Sequence, residues 1–340
     1  MENIINNKCE NCGSELLYDP KAHCLSCKYC GSKRLIKENL LAAKRNYNNS
    51  FIESSFESSQ LVCENCGNHY TNILAPIFKC LSCGSSSLKK IVSTSILPDG
   101  LIPFSIEKYQ AGEYFYSWIK KRRFAPNKLK TLAKSQKITA SYVPVWNFDY
   151  RSIVSYSGVG IKQYKNDDGT INTVRKTFSG NTNMGRDNFL IMANNMFDSC
   201  TLRLLNFNIS QLKSFDPAYF FGWSALKNNI SRETALQNMK NESKKLDDST
   251  IENNVKSDLS FDSIDEYSSK CHYLSIKYNF IYLPVWTNIY VYKNKLYKCY
   301  INGQNGNVVS KYPKSWIKIL MFVLGIVSIP VIIALLYFLL

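Results

Sequence analysis

The chain has 340 residues, 45% of them hydrophobic and 13% aromatic, which is enough apolar surface to exclude a disordered tail and enough length for two or three units. Its formal net charge of +16 draws it toward polyanions, whether nucleic acid or an anionic bilayer, without choosing between them. Nine of the twelve cysteines crowd into the first 83 residues behind an amino terminus with no apolar signal core, so the spacing reads as bound metal in a reducing compartment rather than a secreted disulfide framework.

The first motif is Cys9-Glu10-Asn11-Cys12-Gly13, and the same five letters return as Cys63-Glu64-Asn65-Cys66-Gly67. Each is followed, after 14 and 13 residues, by a second knuckle: Cys27-Lys28-Tyr29-Cys30-Gly31 and Cys80-Leu81-Ser82-Cys83-Gly84. Cys-x-x-Cys in a tight turn aims two thiolates at one tetrahedral ion, and the following glycine permits the backbone that closes the knuckle. Two structural Zn2+ ions are expected, one on Cys9, Cys12, Cys27 and Cys30 and one on Cys63, Cys66, Cys80 and Cys83. With four protein ligands each, neither keeps the open position that catalysis needs. Cys24-Leu25-Ser26-Cys27 offers a competing ligand pair, so Cys24 stands as an alternative to Cys30; the glycine after Cys30 favours Cys27 and Cys30. His23 and His69 are read as bystanders.

The expected organisation is zinc ribbon 1 over residues 1–38, a Ser/Asn-rich linker over 39–60, zinc ribbon 2 over 61–92, an α+β body over 98–318 and a transmembrane helix over 319–340. In the body, a helix is expected from Ile106 to Arg123 and a short one after Pro126. Trp118 to Lys137 holds eight Lys or Arg and no acid, suited to lipid or nucleic-acid phosphate. Tyr142-Val143-Pro144-Val145-Trp146 recurs as Tyr282-Leu283-Pro284-Val285-Trp286, each opening a β-rich stretch, about 140–180 with a turn at Asp168-Gly169 and about 273–312 with a hairpin signal at Asn305-Gly306. These predict a duplicated antiparallel unit. Helix is expected around Ser231 to Leu246, and the stretch from Asp247 to Glu266, with seven acids and one Lys, reads as a loop or flexible insertion that shields the basic patch.

Residues 319–340 carry no charge over 22 positions, a length that spans about 30 Å of hydrocarbon, with Lys311, Lys314, Lys318 and Trp316 before it. The expectation is a tail-anchored, single-pass protein of the cell membrane with its body in the cytoplasm. There is no phosphate-binding loop, and His272 has no recognisable catalytic partner, so no enzyme and no small-molecule substrate are expected.

The paired ribbons, Ile102-Pro103-Phe104-Ser105-Ile106, Trp118-Ile119-Lys120-Lys121, Phe124-Ala125-Pro126-Asn127, the first Pro-Val-Trp motif and Ile301-Asn302-Gly303-Gln304-Asn305-Gly306 together resemble the bacterial membrane-anchored double zinc-ribbon proteins, labelled transcription-factor-IIB-type zinc ribbon or primosomal-helicase-like. The resemblance covers nearly the whole chain. It implies a scaffold on the cytoplasmic membrane face that recruits protein partners of the phage-shock or flotillin-like envelope-stress kind. Only the cysteines transfer position by position, and without a nucleotide-binding loop the helicase label does not apply. The alternative is a nucleic-acid-binding protein of transcription or replication, which the zinc ribbons and the charge suit.

Overall fold

The computed structural model describes residues 7–37, 39–48, 55–67, 69–71, 80, 83, 85–132, 138–167 and 169–339. Strands β1 (Leu16–Asp19), β2 (Cys24–Cys27) and β3 (Lys33–Arg34) form a small antiparallel sheet. There follow β4 (Arg45–Asn46), β5 (Ser55–Cys63), β6 (His69–Thr71), β7 (Leu88–Ile96), β8 (Gly100–Leu101), helices α1 (Lys108–Lys120) and α2 (Asn127–Leu132), and the long strands β9 (Ile138–Lys165) and β10 (Ile171–Met192). The rest is α3 (Ser199–Leu204), β11 (Lys213–Ser214), β12 (Ser224–Leu226), α4 (Arg232–Asp258), β13 (Ser263–Tyr292), β14 (Lys295–Asn302), β15 (Val308–Ser310) and α5 (Trp316–Leu339). The fold is β-rich α+β. From β4 onward the strands join one large sheet, whose centre is the antiparallel pairing of β9 with β13 from Ile138↔Asn288 to Ile161↔Ser263.

The two Pro-Val-Trp motifs lie side by side on this central pair, with Pro144 opposite Tyr282 and Pro284 opposite Tyr142. Around them the backbone repeats itself with exchanged partners. Short β8 runs parallel to β13 at Tyr282, and short β12 runs parallel to β9 at Tyr142. Trp286 Nε1 donates to Ile106 O, just before the N-cap of α1; Trp146 Nε1 donates to Ile230 O, just before the N-cap of α4, at 3.0 Å in both cases. Gly303 N–H donates to Pro284 O, and Gly303 O accepts from Ser105 and Ile106. In the other half, Ala193 N–H donates to Pro144 O, and Ala193 O accepts from Asn229 and Ile230. Each half is therefore a β-α-β-β unit whose lead-in strand and helix dock on the other half's hairpin, related by a pseudo-twofold axis between the motifs. The buried rings of Phe104, Tyr142, Phe220, Phe280, Trp146 and Trp286 fill the core along this axis.

The acidic stretch is not a loop. Helix α4 continues through it to Asp258 and β13 begins at Ser263, because the face of α4 that meets the sheet is a row spaced by four: Ala235, Met239, Ser243, Asp247, Ile251 and Val255. Such a row inclines to the helix axis, so the helix lies obliquely along the twisted ribbon of β9, β10 and β13. Its polar middle is satisfied: the buried Asp247 carboxylate accepts from Tyr150 Oη at 2.8 Å and Arg186 Nη2 at 3.1 Å, and the Ser243 and Tyr273 hydroxyls meet at 3.0 Å. Burial, then the adjacent carboxylate, pushes the Tyr150 phenol up. Three acids of this stretch, Asp247, Asp248 and Asp265, pair with Arg186, Lys244 and Arg175 rather than with the described part of the basic patch. Asp247→Ala is expected to cost about 3 kcal/mol in urea unfolding, the low end for a broken buried pair because Arg186 is 37% exposed.

The membrane anchor requires correction. Among the described residues no helix is long and apolar enough to cross a membrane. The first turns of α5 are tied to the body instead: Lys318 Nζ donates to Ala125 O at 2.8 Å and Asn127 Oδ1 at 2.7 Å, Phe322 meets Phe124 edge-on, and Arg123 lies over the Phe322 ring. The single-pass placement over 319–340, the membrane as partner, the cell-membrane localisation and the cytoplasmic orientation derived from it are withdrawn with the span. Of the basic patch, residues 133–137 lie outside the described residues, as does Asp168 of the first hairpin turn.

Candidate metal centres

Each knuckle is closed by its own backbone. Gly13 N–H donates to Cys9 O at 2.8 Å, Gly31 N–H to Cys27 O at 2.9 Å and Gly67 N–H to Cys63 O at 2.8 Å. These glycines sit at φ of 72°, 75° and 70°, with nothing near the place where a Cβ would go. The left-handed backbone, not space, demands glycine there. Gly84, the fourth, lies outside the described residues, with Leu81 and Ser82.

The hairpin of β1 and β2 then brings the first pair of knuckles together, and β5, β6 and β7 the second. Cys9, Cys12, Cys27 and Cys30 form one group and Cys63, Cys66, Cys80 and Cys83 another, each with all four sulfurs within 4.8 Å of one another. Individual Sγ–Sγ separations are 3.5 Å for Cys9–Cys30 and Cys12–Cys27, 3.6 Å for Cys63–Cys83 and 3.4 Å for Cys66–Cys80. A tetrahedral ion with metal–sulfur bonds of about 2.3 Å sets its ligands about 3.8 Å apart, so both cages fit such an ion with little movement. Cys24 stands outside the group, buried on β2 opposite Asp19. His23 Nδ1 meets the Tyr18 hydroxyl at 3.1 Å, His69 lies on β6 and His272 on β13, none of them in a sulfur group.

The sulfurs have partners that the ligand pattern alone does not name. Ser32 Oγ lies 2.9 Å from Cys9 Sγ and 3.1 Å from Cys30 Sγ. That hydroxyl is the main reason the Cys9 thiol is lowered to about 6 and Cys30 is lowered with it. At Cys12 the Ser14 backbone N–H favours the thiolate, but burial and three neighbouring sulfurs outweigh it and push the thiol up to about 12. In the second cage burial raises Cys83, yet Asn65 Nδ2 at 3.5 Å, the Ser85 backbone and two neighbouring sulfurs bring it to about 6. Tyr70, fully buried, places its hydroxyl 3.0 Å from Cys80 Sγ. A signal for Ser32 exists in the sequence, since Cys-Gly-Ser recurs at residues 12–14, 30–32 and 83–85.

The metal-free first cage thus holds at least one proton, on Cys12, that an ion must displace, so affinity rises with pH. Chelator competition with Zn2+ is expected to show at least about a tenfold loss of affinity per unit as pH falls from 8 to 7, and a steeper loss below about 6, where Cys9 also protonates.

Both cages are built into the body. Tyr18 N–H donates to Phe221 O at 2.9 Å, the Tyr18 hydroxyl to Phe104 O at 3.3 Å, and Trp223 Nε1 returns a bond to Tyr18 O at 3.2 Å. In the second ribbon β6 is a strand of the large sheet, pairing with β12 at Tyr70↔Leu226 and Thr71↔Ala225.

No protein-family model matches the chain, and no solved structure matches it. It is similar to the uncharacterized protein YdjG of Bacillus subtilis (strain 168), with 29% identity over 332 residues that cover 95% of this chain and 94% of that protein. The likeness thus extends over both chains nearly end to end. Two metal-binding cysteine groups of the zinc-ribbon kind are what the structure supports.

Proposed function

We propose that the protein is a non-enzymatic adaptor whose two structural Zn2+ ions lock a pair of ribbons onto a duplicated β body, so that the combined surface recruits a protein partner. The observation that carries this reading is the closure of both cages: four sulfurs within 4.8 Å leave no coordination position for water or substrate. The ions then stabilise a surface. Tyr29, between two ligands at the tip of the first ribbon, is 84% exposed, as an aromatic anchor for a partner would be.

The test is affinity capture of the tagged full-length chain from its own cells, read by mass spectrometry, beside the paired Cys9→Ser, Cys12→Ser variant. A protein recovered with the wild type and lost with the variant supports the adaptor. Recovery of the same proteins with both, or of none, removes it.

Nucleic-acid binding is the second reading, favoured by the net charge of +16 and the basic run from Trp118. In the structure part of that run is already engaged: Arg122 stacks on Trp118 at 4.5 Å and Lys130 Nζ donates to Lys120 O. A salt-sensitive gel shift with the full chain would support it; no shift at 50 mM salt would exclude it.

A further inference from the structure

The pseudo-twofold axis makes the two halves comparable residue by residue, and they differ at one edge. Val145 and Trp146 pair with Met192 and Ile191 of β10 as Val285 and Trp286 pair with Asn302 and Ile301 of β14. Phe189, Leu190 and Ile191 therefore correspond to Cys299, Tyr300 and Ile301. In the second half the outer edge of that segment is covered by β15, through Cys299↔Ser310, Tyr300↔Val309 and Ile301↔Val308. In the first half no described strand pairs with the outer edge of β10.

Side chains of α3 stand in for the missing strand. Ser199 Oγ accepts from Met192 N–H at 3.1 Å, and Arg203 Nη1 donates to Leu190 O at 3.2 Å. The Arg203 guanidinium also lies over the Phe189 ring and holds Glu242 through Nη2 at 2.6 Å. Beside this edge opens a cleft of about 830 Å³, lined by Arg186 to Leu190 of β10, by Phe207 and Ile209, which pack with the cluster that holds Leu190, and by Leu246 of α4. A bulge in β10 between Arg186 and Phe189 keeps Asp187 and Asn188 out of the ladder with β9 and turns them to the cleft rim. The Ile301–Gly306 segment, a motif without an assigned role, latches the stretch that holds Phe207: Asn305 Nδ2 donates to Asn206 O and Gln304 Nε2 to Asn208 O.

We infer that this cleft takes an extended peptide segment of a protein partner, which adds as a strand to β10 at Leu190 in the place that β15 occupies in the other half. The inference rests on the adaptor reading and assigns it a docking site. Three features set the chemistry of the occupant. Its backbone N–H replaces Arg203 Nη1 on Leu190 O, as backbone groups serve the edge of β14. Its side chains alternate, with apolar or β-branched residues facing Phe207 and Ile209 at every second position, as the adjacent Val308 and Val309 of β15 pack against two separate core clusters. Strong net charge is disfavoured, because Arg186, Arg203 and Asp187 at the cleft are already paired with Asp247, Glu242 and Arg151.

The experiment titrates the full-length, metal-loaded chain against a panel of labelled eight-residue peptides with β-branched residues at alternate positions, one carrying the sequence of residues 306–313, read by fluorescence anisotropy. Saturable binding of at least one peptide is expected. It should weaken at least tenfold in Leu246→Arg, a change at a position already 41% exposed, and persist or tighten in Arg203→Ala, which vacates Leu190 O. If no peptide binds, if Leu246→Arg binds as the wild type does, or if Arg203→Ala abolishes binding while its far-UV spectrum is unchanged, strand addition at β10 is wrong. The last outcome would make the cleft an anion site. Cellular capture with Leu246→Arg separates this proposal from the one it rests on: a partner retained by that variant but lost by the ribbon variant keeps the adaptor and removes this docking site.

Discussion

Replacing Cys63 and Cys66 together by serine is expected to remove one of two bound ions and to lower the melting temperature of the whole chain, not of a ribbon alone. The second cage sits at the end of a continuous strand path. Cys63 ends β5, β5 pairs with β6, β6 with β12, and β12 runs along β9 beside the first Pro-Val-Trp motif. Tyr70 joins the two directly, pairing with Leu226 by its backbone and reaching Cys80 Sγ with its buried hydroxyl. A structural zinc site is worth about 10 to 16 kcal/mol of apparent folding energy. If about 5 kcal/mol of that is shared with the sheet, the main transition falls by about 10 °C, at about 2 °C per kcal/mol for a chain of this size. Calorimetry with metal analysis is the measurement. A main transition that does not move, beside the loss of a small separate one, would make the ribbon an independent bead.

Truncating either motif tryptophan is expected to cost about 3 to 5 kcal/mol, the range for a large aromatic removed from a packed core. Trp146 and Trp286 are almost wholly buried, and each carries a side-chain bond by which a half holds the other's helix start, to Ile230 O and Ile106 O. Trp286 also meets Phe104 and Trp223 edge-on, and Trp146 packs on Tyr278 and Phe280. The phenylalanine variants keep most of the apolar contact but leave a carbonyl without its donor, at about 1 to 3 kcal/mol. If the pseudo-twofold relation describes the energetics as well as the geometry, Trp146→Phe and Trp286→Phe will agree within about 1 kcal/mol in urea unfolding. A difference of several kcal/mol would mean that one half carries the body and the other rides on it.

These effects divide between what can be read from neighbours in the sequence and what cannot. The knuckles are local: Cys-x-x-Cys-Gly states the ligands and the turn in five letters. The competing Cys24 is excluded only by the β1–β2 register, which sets it opposite Asp19 and away from the other sulfurs. The repeated motif marks two like units, and the Asn305-Gly306 signal is met by Gly306 at φ +80°. The exchange of helices between the units has no local mark, because β8 and β12 have two and three residues and their partners lie more than 80 residues away. The acidic stretch was misleading for a related reason. Acids and serines ordinarily face water, whereas Ser243 and Asp247 are buried against Tyr273 and Tyr150 on strands far away in sequence. At the carboxyl end an uncharged run suggests a span by length alone, but Lys318 and Phe322 are held on Ala125 and Phe124, which composition cannot show.

By itself, then, the amino-acid order determined the two four-thiolate sets and the twin Pro-Val-Trp strands, because each is written in residue type and short spacing. Only the tertiary structure decided how the ribbons attach, which half each helix serves, and where an edge is left without its strand. Those depend on pairings across more than 80 residues, where the free energy lies in register and burial, and neither is visible until the sheet is formed.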